Sequence, residues 1–177
     1  IGSGDLFRFH LRGQTQLGQE ASKYVNQGLL VPDEITIGII LDKVLGLSTQ
    51  EGFLLDGFPR TTDQAVALEK TLAECSRGLD QVVFINVAES ELLSRLSGRY
   101  TCGECQAPNA SSEAKVGEAA CVSCGGKLYQ RHDDRAEAIA RRLRVYQAET
   151  FPVLDYYRQR GLLLEVPGVG SVEDVNQ

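Results

Sequence analysis

Three short apolar runs, each separated from the next by helix-like segments, are the feature that most restricts the fold of this chain. They span residues 52–56, 81–87 and 162–166, and their side chains are nearly all apolar. Continuous apolar runs of this length are typical of parallel strands buried on both faces. Because parallel strands need helical crossovers between them, the pattern predicts an α/β fold with a parallel sheet. A chain of 177 residues has room for one such core and a small inserted module.

The helix-like segments carry start and stop signals that set their expected bounds. Thr15 is placed to cap a second helix that ends at Gly28, Asp33 to cap a third, and Pro152 to kink the longest one. The expected helices cover residues 3–13, 15–28, 33–46, 61–76, 89–97 and 134–160.

The charge and hydropathy of the chain restrict its partners. The formal net charge is −6 at pH 7, whereas a domain that binds nucleic acid normally carries a basic surface. No apolar run approaches the length that spans a bilayer, and we recognise no signal peptide. We therefore expect a cytoplasmic monomer without nucleic-acid or membrane partners.

Four of the five cysteines form two Cys-x-x-Cys pairs, Cys102 with Cys105 and Cys121 with Cys124, separated by fifteen residues. This spacing is close to the template for a structural zinc site with four thiolate ligands. The segment between the pairs is poor in large apolar residues, so a metal would supply its stability. A redox role would need one reactive pair in a thioredoxin-like setting. Cys75 lies outside both pairs, and we expect it to be a buried small residue.

The stretch Gly52-Phe-Leu-Leu-Asp-Gly-Phe-Pro-Arg60 has the composition of a strand that ends in a ligand-binding turn. Asp56 would stand at the end of the strand, and Gly57 lets a ligand approach the backbone closely. Pro59 stiffens the turn and is a candidate for a cis peptide. Arg60 offers a planar fork that suits a phosphate. Taken alone, these residues also fit an ordinary turn with a solvated arginine.

Five segments, taken in order, resemble motifs of the adenylate kinases and related nucleoside monophosphate kinases. They are residues 2–8, 28–33, 52–60, 94–99 and 131–134, with Arg142 on the helix that follows. The resemblance implies a P-loop NTPase-like, three-layer α/β fold and the reaction ATP + AMP = 2 ADP, with Mg²⁺ as cofactor. It further implies an AMP-binding helical flap at 1–32, a zinc-ribbon-like lid at 98–134, and a core formed by 33–97 and 135–177.

The resemblance also assigns roles to individual residues. Asp5 and Asp56 would orient waters on Mg²⁺, and Arg95 and Arg99 would bind ATP. Catalytic roles fall to Asp56, Arg60, Arg95, Arg99, Arg131 and Arg142. The AMP-binding set is Ser3, Arg8, Leu30, Val31, Gly57, Arg60, Gln64, Arg131 and Arg142. So many arginines suit phosphoryl transfer, because its catalysis consists mainly of placing two polyanions and stabilising charge on the moving group.

The sequence departs from the family where the Gly-rich phosphate loop is expected. Its one Gly-Lys pair is Gly126-Lys127, and Cys121 stands where the first Gly of that loop motif would be. The chain contains no Met, and the family's last helix is mostly absent. We therefore expect the parent reading frame to extend upstream and this chain by itself to be weakly active or inactive.

Three other functions stay open at this stage. The first is a UMP/CMP kinase or a GTP-dependent relative, which Gln64 and the zinc-type lid disfavour. The second is a nonenzymatic remnant that binds AMP. The third is a zinc ribbon that binds protein or nucleic acid, which the acidic residues between the cysteine pairs disfavour.

Overall fold

The computed structural model describes residues 1–48, 50–110 and 120–170. In this part of the chain four helices precede the first strand, and the strands that follow are interspersed with three further helices. The helices are α1 (Ser3–Arg12), α2 (Gln16–Val25), α3 (Asp33–Leu45), α4 (Thr62–Glu74), α5 (Glu89–Ser97), α6 (Ala136–Val145) and α7 (Phe151–Arg158), with a 3₁₀ turn at His132–Asp134 and a π-helical turn at Tyr146–Thr150. The strands are β1 (Val82–Asn86), β2 (Arg99–Cys102), β3 (Pro108–Ala110), β4 (Leu128–Tyr129) and β5 (Leu163–Pro167).

Two separate sheets are present in the described residues. β1 and β5 pair in parallel, with Val82 opposite Leu163 and Asn86 opposite Pro167. The second sheet is antiparallel, has the order β3-β2-β4, and carries the cysteine pairs. The parallel sheet with its helices confirms the predicted α/β class, and the antiparallel sheet forms an inserted unit between α5 and α6.

The predicted buried strand at 52–56 is wrong. The segment makes one parallel bridge, from Asp56 to Gly2, and its backbone also bonds to Ile1. Leu54 is 79% exposed, so among the described residues nothing packs against one side of the segment. A strand needs a continuous ladder of backbone hydrogen bonds, and among the described residues this segment forms a single bridge.

The predicted capping role of Asp33 is wrong, and the long helix begins two residues after the approximate start that the sequence indicated. Asp33 is the first residue of α3 rather than its cap, and Pro32 occupies the cap position. The Asp33 carboxylate instead accepts hydrogen bonds from Thr61 and Gln64. The long helix starts at Ala136 rather than Asp134, because Asp134 belongs to the 3₁₀ turn and its side chain is fully buried against arginines.

The distortion expected at Pro152 takes the form of the π-helical turn just before it. Proline has no N–H to continue the helical ladder, and such widened turns are a known way for a helix to absorb that loss. Within this turn, the Thr150 hydroxyl donates to the Arg60 carbonyl at 2.9 Å. The irregular turn therefore anchors the loop that carries Arg60.

The apolar core fixes α3, α4 and α7 around that same loop. Ile40 and Leu68 pack with Phe58, and Val153 and Tyr157 of α7 form a second cluster with Ala65 of α4. Full burial of a large apolar side chain contributes about 1.5–3 kcal/mol, so the loop is held between well-packed helices. Within the described residues, no helix has both the length and the apolar character needed to cross a membrane.

Candidate active site

A cleft of about 350 Å³ brings together nearly all of the predicted site residues. One wall comes from α1 and the turn after α2, the other from the root of the inserted unit and α6, and the floor from the 56–60 loop. The predicted residues that line it are Ser3, Asp5, Arg8, Leu30, Val31, Asp56, Gly57, Arg60, Gln64, Arg99, Arg131 and Arg142. Five of these are arginines, so the cleft is strongly positive although the chain is acidic overall.

A larger, more open groove of about 820 Å³ adjoins this cleft and shares Leu29, Leu30, Val31 and Val145 with it. Its two arginines, Arg141 and Arg144, bond to Gln27 and to the Ala140 carbonyl. No set of guanidinium groups converges there among the described residues, so the smaller cleft is the candidate site.

The floor of the cleft is a turn that only glycine fits comfortably. Gly57 has φ of +70°, and a Cβ atom at this position would lie 2.8 Å from the Ser3 hydroxyl oxygen. The Ser3 hydroxyl donates to the Gly57 carbonyl at 2.7 Å, and the Ser3 N–H donates to the Asp56 carbonyl at 2.9 Å. The Phe58–Pro59 peptide is cis, as expected. These contacts place the start of α1 directly over the loop.

Arg60 is the most informative side chain in the cleft. Its backbone is fixed at both ends, because its N–H donates to Gln64 Oε1 at 2.8 Å and its carbonyl accepts from Thr150. Its guanidinium, in contrast, has no hydrogen bond or ion pair with any described residue. Burial lowers the pKa of Arg60, and the nearby charge of Arg142 lowers it further. A positive group held in this way is suited to an anionic ligand.

Gln64 is almost completely buried beneath Arg60, and its side-chain amide is already bonded within the protein. Its oxygen accepts from the Arg60 N–H, and its nitrogen donates to Asp33 Oδ1 at 2.7 Å. The other Asp33 oxygen accepts from the Thr61 hydroxyl at 2.6 Å. This network fixes the loop, and direct recognition of a base by Gln64 stays a prediction.

Three of the cleft's arginines converge on one buried carboxylate. Arg99 makes two hydrogen bonds to Asp134, Arg142 donates to Asp134 Oδ1 at 3.2 Å, and Arg131 lies 3.9 Å from Oδ2. Arg142 also lies 3.4 Å from Asp133. Burial and the charges of neighbouring arginines lower the pKa of Arg131. One carboxylate thus gathers three positive groups without neutralising them all.

The two carboxylates predicted to act with Mg²⁺ differ in their surroundings. Asp5 accepts from Arg8 at 2.5 Å, and this hydrogen bond lowers the pKa of Asp5. The Asp56 side chain lines the cleft and makes no ion pair with a described residue. Both carboxylates line the cleft together with the arginines, and carboxylate oxygens are among the ligands that Mg²⁺ prefers.

Arg95 is the one residue predicted to bind nucleotide or Mg²⁺ that does not line this cleft. Its guanidinium bonds to Glu91 at 2.7 Å, one turn earlier on the exposed face of α5. A role for Arg95 at the ATP phosphates stays a prediction.

The side chains of Asp133 and Asp134 matter to the site but were absent from the predicted set. They follow Arg131 at the second and third positions, in a segment of which the sequence indicated a role only for the arginine. Thr36 also lines the cleft and was not predicted from the sequence. Its hydroxyl donates to the backbone carbonyls of Val31 and Pro32.

The four paired cysteines form one compact cluster. Their sulfur atoms all lie within 4.8 Å of one another, with 3.5 Å between Cys102 and Cys124 and 3.6 Å between Cys105 and Cys121. A tetrahedral site with bonds of about 2.3 Å to sulfur has sulfur–sulfur edges of about 3.8 Å. The cluster therefore fits a metal with four thiolate ligands. Cys75 is exposed, contrary to expectation, and takes no part.

The parallel sheet with its helices and the inserted cysteine-bearing unit define an α/β protein of the P-loop NTPase-like class. A family model described as adenylate kinase matches residues 1–162. The chain therefore belongs to the adenylate kinase family, whose members are phosphotransferases. The protein named adenylate kinase from Dehalococcoides mccartyi is 43% identical over 177 residues, which is 100% of this chain and 82% of the relative. Adenylate kinases from Carboxydothermus hydrogenoformans and Desulfitobacterium hafniense are 46% and 45% identical, over 99% and 100% of this chain and 82% of each relative.

Proposed function

We propose that this site serves the reversible transfer of a phosphoryl group between ATP and AMP in the presence of Mg²⁺. The observation that carries the proposal is the Arg60 guanidinium, which points into a cleft with four other arginines and has no protein partner among the described residues. An unpaired, half-buried positive charge is costly unless a ligand neutralises it. A phosphate of AMP meets that need.

The surroundings of Arg60 support an AMP site. Arg8, on the wall formed by α1, and Arg60, on the floor, would hold its phosphate, because planar guanidinium forks match phosphate oxygens in pairs. Leu30 and Val31 give an apolar surface on which the nucleoside can pack, and Ser3 and Gly57 bring the backbone close to it. We assign the recognition of adenine to the Gln64 end of the cleft.

The other arginines suit the transferring group. Arg99, Arg131 and Arg142 all form ion pairs with Asp134, so their charges are positioned before a substrate binds. Fixed positive groups of this kind stabilise the charge that develops on a moving phosphoryl group. Mg²⁺, when bound with ATP, neutralises phosphate charge, and Asp5 and Asp56 are the carboxylates that would orient its waters.

The root of the inserted unit supports a lid that closes over the substrates. Arg99 begins β2 and Arg131 follows β4, so both strands that enter and leave the unit carry an active-site arginine. A movement of residues 98–134 would carry these arginines toward or away from the cleft floor. Closure would exclude water, which otherwise hydrolyses ATP.

The cysteine cluster supports a structural zinc ion in this lid. Four protein thiolates leave no open position for a water, so the metal would stabilise and not catalyse. Its binding free energy would appear as local folding free energy. Zinc content of the purified protein is the direct test, with Cys121→Ser expected to lose the metal and Cys75→Ser expected to keep it.

The AMP site is tested by Arg60→Ala. A charge-assisted pair to a phosphate contributes about 1.5–3 kcal/mol, so AMP binding measured by calorimetry should weaken about 10- to 100-fold. Arg158→Ala is the matched control, because Arg158 pairs with Asp155 and Glu165 on the exposed surface of α7 and β5. Equal AMP affinity of the wild type and Arg60→Ala would refute the assignment.

Turnover distinguishes the enzyme from a protein that only binds AMP. Because we expect this chain by itself to be weakly active or inactive, phosphorylation of AMP, CMP and UMP by the complete parent protein should be compared in a coupled assay with ATP and Mg²⁺. Preference for AMP supports adenylate kinase activity, and a preference for CMP or UMP supports the related pyrimidine nucleotide kinases. AMP binding without turnover would leave the nonenzymatic alternative.

A further inference from the structure

A buried amide next to the cysteine cluster has no part in the functions assigned so far. Asn109 lies in β3, in the antiparallel sheet of the inserted unit, and the residue is only 4% exposed. Burial of an amide is unfavourable unless its polar atoms are bonded. The contacts of Asn109 therefore indicate why it is buried there.

Asn109 uses both ends of its amide. Its nitrogen donates to the Ala107 carbonyl at 3.0 Å and to the Cys121 sulfur at 3.7 Å. Its oxygen accepts from the Val122 N–H at 3.2 Å. The Asn109 side chain thus connects β3, which follows the first cysteine pair, to the second cysteine pair. It contacts the Cys121 sulfur and the Val122 backbone there.

The other donors to sulfur in the cluster come from the backbone. The N–H of Ser123 donates to Cys121, and that of Glu104 donates to Cys102, each at 3.4 Å. Apart from the cysteines themselves, Asn109 provides the one side-chain hydrogen bond to a cluster sulfur within the described residues. Asn109 belongs to β3 and reaches the second cysteine pair from that strand. The backbone donors Glu104 and Ser123, in contrast, lie within the two Cys-x-x-Cys loops themselves.

We infer that Asn109 is a positioning residue for the metal, which orients Cys121 and slows release of the ion. This inference rests on the zinc site proposed above. Four thiolates around a divalent ion carry excess negative charge, and N–H groups directed at sulfur offset part of it. Loss of partners that orient metal ligands typically lowers metal affinity about 10- to 100-fold.

Substitutions at Asn109 separate the donor end of its amide from the acceptor end. Asn109→Asp has nearly the same shape and keeps an acceptor for Val122, but it loses the N–H donor to Cys121 and to the Ala107 carbonyl and places a negative charge beside the thiolates. Asn109→Ala removes all three contacts. Gln106→Ala is the matched control, since the Gln106 amide donates to the Gly103 carbonyl in the same hairpin and contacts no sulfur.

The test is the rate of zinc release from the full zinc-loaded chain. Excess chelator removes the metal, and 4-(2-pyridylazo)resorcinol reports zinc transferred from the protein. Asn109→Asp and Asn109→Ala should release zinc about 10-fold faster than the wild type or more, and Gln106→Ala should release it at nearly the wild-type rate. If Asn109→Ala does not fold, the isosteric Asn109→Asp decides the question.

Absorption of the cobalt-substituted protein gives a second measurement. The thiolate-to-cobalt band should shift in Asn109→Asp and stay unchanged in Gln106→Ala. Wild-type release rates in Asn109→Asp, or equal acceleration in all three variants, would overturn the inference while leaving the zinc site intact. A wild-type protein that holds neither zinc nor cobalt would overturn the zinc proposal and this inference together.

Discussion

Neutralising Asp134 by Asn should destabilise the protein far more than an equivalent change on the surface. Asp134 is fully buried, and the side chains of Arg99, Arg131 and Arg142 are 27%, 16% and 26% exposed. Removing one partner of a buried ion pair costs about 3–5 kcal/mol. Because solvent reaches the arginines in part, we take the lower end, about 3 kcal/mol. For a chain of this size 1 kcal/mol shifts Tm by about 2–4 °C, so Tm should fall by about 6–12 °C.

The assay is thermal unfolding followed by circular dichroism at neutral pH. Glu91→Gln is the control, because it makes the same acid-to-amide change in an exposed pair with Arg95, where both side chains are nearly half exposed. Exposed pairs of this kind contribute about 0–1 kcal/mol and weaken with salt. If Asp134→Asn lowers Tm no more than Glu91→Gln does, the argument that Asp134 gathers the cleft's arginines at a buried centre is wrong.

Three further changes test other parts of the structure. Gly57→Ala should lower the free energy of unfolding in urea by at least about 1–2 kcal/mol, because φ is positive there and the new methyl meets Ser3; wild-type stability would contradict the described turn. Tyr157→Phe should leave Tm unchanged or raise it, since the buried Tyr157 hydroxyl has no partner among the described residues; a clear fall in Tm would indicate a partner. The hydrogen bond from Arg8 lowers the pKa of Asp5, so its stabilisation is present above the unfolded carboxyl pKa of about 3.9 and is lost as pH falls through the folded value. The small Tm difference between the wild type and Asp5→Asn should therefore vanish in acid, and a difference that grows in acid would show that another group is responsible.

Local signals in the sequence were sufficient for the fold class, the parallel sheet and the cysteine cluster. Apolar runs alternating with amphipathic segments report strands and helices without reference to distant residues. Ligand spacing does the same for a thiolate site, since both cysteines of a pair lie in one tight turn. The turn at Gly57 and Arg60 was also predictable, because glycine, proline and arginine each contribute a conformational or chemical property of their own.

Features that depend on partners far along the chain were decided by the tertiary structure alone. The 52–56 run has strand composition, but a strand forms only where neighbours complete a ladder. Asp33 looks like a helix cap, yet Gln64 and Thr61, about thirty residues later, compete for its carboxylate.

The same reason explains the electrostatics of the cleft. Nothing local in Arg131-His-Asp-Asp134 reveals that Asp134 is buried between Arg99 and Arg142, which approach from both sides of the inserted unit. Nor does the sequence distinguish Arg60, whose guanidinium has no partner among the described residues, from Arg95, which bonds to Glu91 on its own helix. The sequence determined which residues carry charge and which form helices. Packing decided which of those charges face each other, because burial and distance set the strength of every electrostatic interaction.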